Sequence, residues 1–253
     1  MSNNDFIDIK IIDDDDEGDD KEVINTSITN KIKIKKVNNI LKKSYDDTNI
    51  YEIGVDEVGR GPLFGRVYSA AVILPKDNSF DHSQMKDSKK FHSKKKIQEV
   101  SEYIKMNAIA WSVTYEDEKT IDDINILQAT QKSMHKSILE IIKQTKKNEY
   151  HFLIDGNYFK QLTLQDPNKI KYKVDCIEGG DNHYSVIAAA SIIAKVERDK
   201  YIQELCNQYP FLIENYGIDS NKGYGAKKHI DGIKLHGITP WHRRTFGICK
   251  QFV

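Results

Sequence analysis

IGVDEVGRGPLFGR, residues 53–66, decides how the rest of the chain reads. A short apolar run of β composition, Tyr51 to Val55, ends in two adjacent carboxylates, Asp56 and Glu57. A glycine turn carrying one arginine, Gly59-Arg60-Gly61, follows at once. Neighbouring acids at a strand end repel each other and are seldom there for stability. A hard divalent cation removes the repulsion, because Mg2+ and Mn2+ take carboxylate oxygens. Glycines beside the acids let the backbone approach a ligand, and exposed N–H groups there suit a phosphate or a hydroxyl. Within this window alone, a surface turn capped by two solvated acids is an equal alternative.

Outward from this stretch, Tyr51–Asp56 and Val67–Leu74 read as strands joined by the glycine turn, with Pro75 ending the second. Lys94–Met106 reads as a helix and Ala108–Tyr115 as a strand. From Ile121, apolar residues recur at Ile124, Leu127, Met134, Ile138 and Ile141, which predicts one long amphipathic helix. His151–Ile154 is a short strand ending at Asp155-Gly156, and Tyr172–Ile177 is another. Ser185–Gln208 is mostly helical, and Ala188, Ala189 and Ala190 let it lie close to a sheet. Ala226–Leu235 is one more helix. This order predicts an α/β fold, a mixed central sheet flanked by helices, with a C-terminal helical part.

The chain has 253 residues, enough for one full domain or two small ones. No apolar run approaches the roughly eighteen residues of a membrane span. The N-terminus lacks the basic-then-apolar pattern of a secretory signal. Cys176, Cys206 and Cys249 are odd in number and far apart, which points to a reducing, cytoplasmic setting and away from zinc. The net charge of zero hides a split: residues 1–22 carry ten acids and two lysines, so the remainder holds an excess of eight positive charges. A body so charged suits a polyanion. Residues 1–45 are expected to be a charged tail, disordered to residue 30, with the Lys/Ile alternation of 31–43 a short strand, a helix or a solvated linker. The catalytic domain is expected to span 46–253.

Further segments complete a pattern. KDSKK lies at Lys86–Lys90, INILQAT at Ile124–Thr130 and IDG at Ile154–Gly156. GGDNHYSVIAAASIIAKVERD spans Gly179–Asp199, NKGYGAKKH Asn221–His229 and GITPWHRRTF Gly237–Phe246. With the first stretch, these resemble the ordered motifs of ribonuclease HII over roughly residues 50–247. The resemblance implies a ribonuclease H-like fold that hydrolyses the RNA strand of RNA–DNA hybrids. It also implies incision of duplex DNA 5′ to an embedded ribonucleotide, leaving 3′-hydroxyl and 5′-phosphate ends. Nucleic acid is then the partner, and no obligate protein partner is expected of a monomer.

By the same resemblance, Asp56, Glu57, Asp155 and Asp181 match the four catalytic, metal-holding acids, and the cofactor is Mg2+ or Mn2+, as two ions with substrate bound. Taken singly, Asp155-Gly156 passes for a tight hairpin turn and Asp181 for a helix cap. Gly59, Arg60 and Gly61 resemble the turn that senses a 2′-hydroxyl, and Tyr224 the ring that stacks on the neighbouring sugar. Lys89, Lys90, Lys195 and Arg198 are candidate phosphate contacts, with Lys195 alternatively paired to Asp199. His242 and Arg243 match a C-terminal His-Arg whose role, structure or strand contact, stays open. Phe64, Arg66 and Ala226 depart from the usual motif residues, which weakens binding at most. Two rivals remain: a ribonuclease HIII-like enzyme, disfavoured by Arg60 and Asp181, and a catalytically dead binding module, disfavoured by the intact acids.

Overall fold

The computed structural model describes residues 41–163 and 170–253. The expected disorder of residues 1–30, and most of the 31–43 segment, lie outside the described residues. Five strands form one sheet: β1 (Tyr51–Val58), β2 (Val67–Ile73), β3 (Ala110–Glu116), β4 (Glu149–Asp155) and β5 (Lys171–Ile177), in the order β3-β2-β1-β4-β5. The glycine turn makes β1 and β2 antiparallel, with Glu57 opposite Ser69, and β3 continues that sense. β1 and β4 run parallel, as do β4 and β5. A tight hairpin at Asp155-Gly156 is therefore ruled out. The parallel arrangement brings the carboxyl ends of β1 and β4 to one edge, the usual place for ligands in open α/β sheets.

Two apolar layers hold the helices to the sheet. On one face α3 (Ser185–Gln208) lays Ala188, Ala189, Ala190 and Ile192 against Ala70, Val72 and Leu153, joined by α1 (Lys94–Asn107). The approach is close at Gly54, where an added Cβ would stand 2.4 Å from the Val186 carbonyl carbon. On the other face α2 (Glu118–Thr145) packs Met134, Ile138 and Ile141 on Ile53, Val55 and Phe152. The C-terminal part comprises α4 (Phe211–Tyr216), α5 (Ile218–Asn221) and α6 (Lys227–His236) around Phe64, Leu212 and Ile233.

Two expectations need correction. The single amphipathic stripe from Ile121 is broken at Asn125, which has φ 66° and ψ 163°, and whose Oδ1 accepts the Gln128 N–H at 3.1 Å. Asn125 thus caps a second helical segment. Ile124 and Leu127 fall off the buried face and are exposed, while Ile121 packs separately with Val67 and Ala129. The domain also begins before residue 46. Leu41 is buried in the α3-side core, and Lys42 bridges the backbone at His183 and Ser185. Leu41 stands next to Lys42 and Lys43 in a lysine-rich run that reads as solvated.

Candidate active site

Asp56 and Glu57 stand in the last turn of pairing on β1, and Asp155 ends the adjacent β4. Asp181 lies in a single 3-10 turn, Gly180–Asn182, that follows β5. It does not cap α3, whose N-cap is Tyr184. The two segments are tied: the Gly180 N–H donates to Asp155 Oδ1 at 2.7 Å. The Glu57 N–H donates to Asp56 Oδ1 at 2.7 Å, and Asn182 Nδ2 donates to Asp181 Oδ1 at 2.9 Å.

The site opposes its own ionisation. Burial, then the charges of Glu57 and Asp155, push the Asp56 carboxyl well above the ordinary carboxylate range. Burial also raises Glu57, against the pull of Arg60, whose Nη1 lies 3.6 Å from Glu57 Oε1. Burial raises Asp155, and at Asp181 it acts together with the nearby charges of Asp87 and Asp155. The donors are all carboxylate oxygens, without thiol or imidazole, so the set fits hard cations such as Mg2+ or Mn2+. Among the described residues, no three acidic, imidazole or thiol side chains are arranged to hold a metal ion as they stand. The acids make an open cluster that fits by donor chemistry.

Two residues beside the acids, Asp87 and Ser191, carried no assignment in the sequence. Asp87, within KDSKK, is buried, caps the Ser88–Lys90 turn through the Lys89 N–H at 2.9 Å and abuts Asp181. Ser191 on α3 faces the Asp56 carboxyl and lies 3.0 Å from the Ser88 hydroxyl. Their position inside quoted motifs was the available signal. Lys89 faces the same cluster: partial burial lowers its ammonium pKa, but Asp87, Asp181, Asp56 and Asp155 outweigh that and hold it high. Lys90 bonds Asn182 Oδ1.

The glycine turn sits beside the acids and is held from behind. Gly59 has φ +93°, and a Cβ there would stand 2.4 Å from Arg198 Nε. Gly61 faces Tyr224, with an added Cβ 3.6 Å from the ring, so turn and tyrosine share one surface. The Tyr224 ring is about half exposed. Arg198, expected to touch phosphate, is fully buried instead. Its Nη2 donates to the carbonyls of Phe64 at 3.2 Å and Lys222 at 3.0 Å, and its Nε to that of Arg66 at 3.2 Å. The helical spacing placed it one turn from Lys195 but said nothing of the loop that covers it. Lys195 forms a half-exposed pair with Asp199 at 2.8 Å.

Arg243 resolves what the sequence left open. It is fully buried and wraps the glycine turn: Nη2 donates to the Gly59 carbonyl at 2.6 Å, Nη1 to those of Arg60 and Pro62 at 2.9 Å, and Nε to that of Gly65 at 2.8 Å. Burial, with the charge of Arg198, brings its pKa down to about 9, so it stays cationic at neutral pH. Phe64 and Arg66, the departures from the usual motif, are spent on packing. Phe64 is buried, and Arg66 lies over the rings of Tyr115 and Tyr201 at 4.0 and 4.3 Å.

A carboxylate cluster at the edge of a mixed sheet in this strand order, with a helix laid across β1, defines a nuclease of the ribonuclease H fold. The family model for ribonuclease HII matches residues 53–249. A ribonuclease HII from Pelagibacter ubique (strain HTCC1062) is 45% identical over 193 residues, covering 76% of this chain and 94% of that one. The solved ribonuclease HII of the PCNA complex from Archaeoglobus fulgidus superposes with a TM-score of 0.60 at 22% identity, covering 79% of this chain and 96% of that one. Bst ribonuclease HIII in complex with Mn2+ superposes at 0.56 with 18% identity, covering 74% and 70%. The chain belongs to the ribonuclease HII family. It is a ribonuclease H, and hydrolysis of RNA in RNA–DNA hybrids is the family's reaction. Enzymes of this fold family depend on divalent metal. Among the described residues, no helix is long and apolar enough to cross a membrane.

Proposed function

We propose that Asp56, Glu57, Asp155 and Asp181 would hold two Mg2+ or Mn2+ ions for hydrolysis of the phosphodiester 5′ to a ribonucleotide. Such ions supply an activated water and charge stabilisation at the leaving 3′-oxygen. The protein's part is to gather the acids and keep them poorly solvated, so that cation binding relieves repulsion already present. The bond between Gly180 and Asp155 supports this by holding the third and fourth acids in one frame. Lys89 and Lys90, at the rim of the cluster, contact phosphates and fix register without reading sequence.

Selection of the cleaved strand falls to the glycine turn and Tyr224. Backbone groups of Gly59, Arg60 and Gly61 meet the 2′-hydroxyl, which separates RNA from DNA at one position. The Tyr224 ring stacks on the next sugar, where a deoxyribose fits. The observation that carries this reading is the apposition of Gly61 and the half-exposed Tyr224 ring. The enzyme therefore incises 5′ to a single embedded ribonucleotide, leaving a 3′-hydroxyl and a 5′-phosphate, and also cleaves long hybrids. Three free thiols support a reducing, cytoplasmic setting.

Tyr224→Ala tests the reading. It removes a stacking surface worth about 1–3 kcal/mol, less if a sugar replaces a base. Incision of the single-ribonucleotide duplex should fall more than cleavage of a long hybrid, which offers many registers. Equal losses on both substrates would make Tyr224 a general structural residue.

A further inference from the structure

His242 and Arg243 are neighbours in the chain, yet they reach different halves of the proposed reader. Arg243 binds four carbonyls of the glycine turn. His242 reaches Tyr224 through a second imidazole. The Thr239 N–H donates to His242 Nδ1 at 2.9 Å. A backbone N–H only donates, so Nδ1 is the acceptor and the neutral ring carries its proton on Nε2. That proton points to His229 Nε2, 3.0 Å away, which must accept. The proton of His229 then lies on Nδ1 and is donated to the Tyr224 carbonyl at 2.9 Å. This one arrangement of protons satisfies all three contacts. Both rings are buried, among the edges and faces of Phe64 and Tyr216.

The backbone ties the same parts together. The Leu63 N–H donates to the Gly223 carbonyl at 2.8 Å, the Gly65 N–H to Trp241 at 2.9 Å and the Arg243 N–H to Leu63 at 2.8 Å. The glycine turn and the Tyr224 loop are far apart in sequence, and the segment around His242-Arg243 lies against both. We propose that His242 and Arg243, with His229 as relay, are positioning residues that hold the glycine turn and Tyr224 in one frame and so set discrimination for a lone ribonucleotide. The inference rests on the reading of that turn and ring as the junction reader. The side chains of all three are buried. Each acts through backbone carbonyls, whose placement decides where the N–H groups and the ring face.

Initial rates on a duplex with one ribonucleotide and on a long RNA–DNA hybrid, measured side by side on the full chain with Mg2+, test this. His229→Phe keeps a ring but can neither donate to Tyr224 nor accept from His242. Its rate should fall about tenfold further on the single-ribonucleotide duplex than on the hybrid. His229→Asn places an amide N–H near the Nδ1 position and should recover most of that selective loss. Arg243→Lys, whose one ammonium cannot span four carbonyls, should show the selective loss too. Equal losses on both substrates, or no recovery with Asn, would overturn the proposal. A wild-type chain unable to incise the single-ribonucleotide duplex would instead remove the junction reading beneath it. If the variants do not fold, side-chain 15N spectra of the wild-type chain decide. A proton on His242 Nε2 and on His229 Nδ1 supports the relay, and any other pair of tautomers, or an imidazolium at neutral pH, overturns it.

Discussion

Asp155 accepts the Gly180 N–H at 2.7 Å, so the acid that ends β4 and the turn that carries Asp181 are one mechanical unit. The amide of Asn can accept the same bond. Asp155→Asn should therefore keep the fold while removing one negative charge from the cluster. Cleavage should fall on the order of a hundredfold or more at any Mg2+ or Mn2+ concentration. Near-wild-type rates with an unchanged unfolding midpoint would remove Asp155 from the site.

The raised carboxyls give the metal-free protein a pH signature. A group whose pKa is higher folded than unfolded binds more protons when folded, so its contribution is full at low pH and is lost as pH rises through the folded value. Asp56, Glu57, Asp155 and Asp181 are all shifted upward. Urea midpoints in chelator should thus contain a component that falls from the ordinary carboxylate range, about pH 4, towards neutrality. Asp56→Asn should remove part of that slope, and Mn2+ should flatten it in the wild type. Parallel pH profiles for the two proteins would contradict the coupling.

The buried imidazoles act in the opposite direction at lower pH. Burial and the neighbouring His229 bring His242 down to about 3, and burial lowers His229 as well. The unfolded chain then takes up protons first, and stability is lost as pH falls below about 6.5. His242→Asn should show a shallower loss between pH 6.5 and pH 4.5 in the same urea series, with about one proton less taken up on unfolding. A steeper loss in the variant would contradict the assignment of neutral rings.

Arg198 and Lys89 should separate stability from binding. Arg198 spends its guanidinium on three loop carbonyls, and Arg198→Gln should cost about 2–4 kcal/mol of stability. Lys89→Ala removes the cation that faces four acids, so it should lower the metal-free unfolding midpoint less than Arg198→Gln does, and it should lower the salt dependence of hybrid binding by about one unit of slope. These outcomes are read from urea melts and from binding titrations over a salt series. The reverse pattern would return Arg198 to the phosphate surface.

What the sequence discloses here follows the range of each interaction. Asp56, Glu57 and the Gly59–Gly61 turn are contiguous, so their chemistry is readable locally. Asp155 and Asp181 need the parallel pairing of β1, β4 and β5 before they meet, and the ordered motifs stood in for that knowledge. Asp87 escaped notice because its partner, Asp181, is distant in the chain. Arg198 was misplaced because helical spacing gives direction without telling what lies on top. The His242–His229 contact depends on the approach of two C-terminal segments, and the helix break at Asn125 depends on a single residue adopting positive φ.

Incision of a duplex containing one ribonucleotide, with product ends mapped, tests the central claim most directly. The account predicts a single metal-dependent cut on the 5′ side of the ribonucleotide, with a 3′-hydroxyl upstream and a 5′-phosphate on the ribonucleotide. Asp155→Asn should abolish the cut. Cleavage confined to runs of several ribonucleotides, or an undiminished cut by the Asp155→Asn protein, would contradict it.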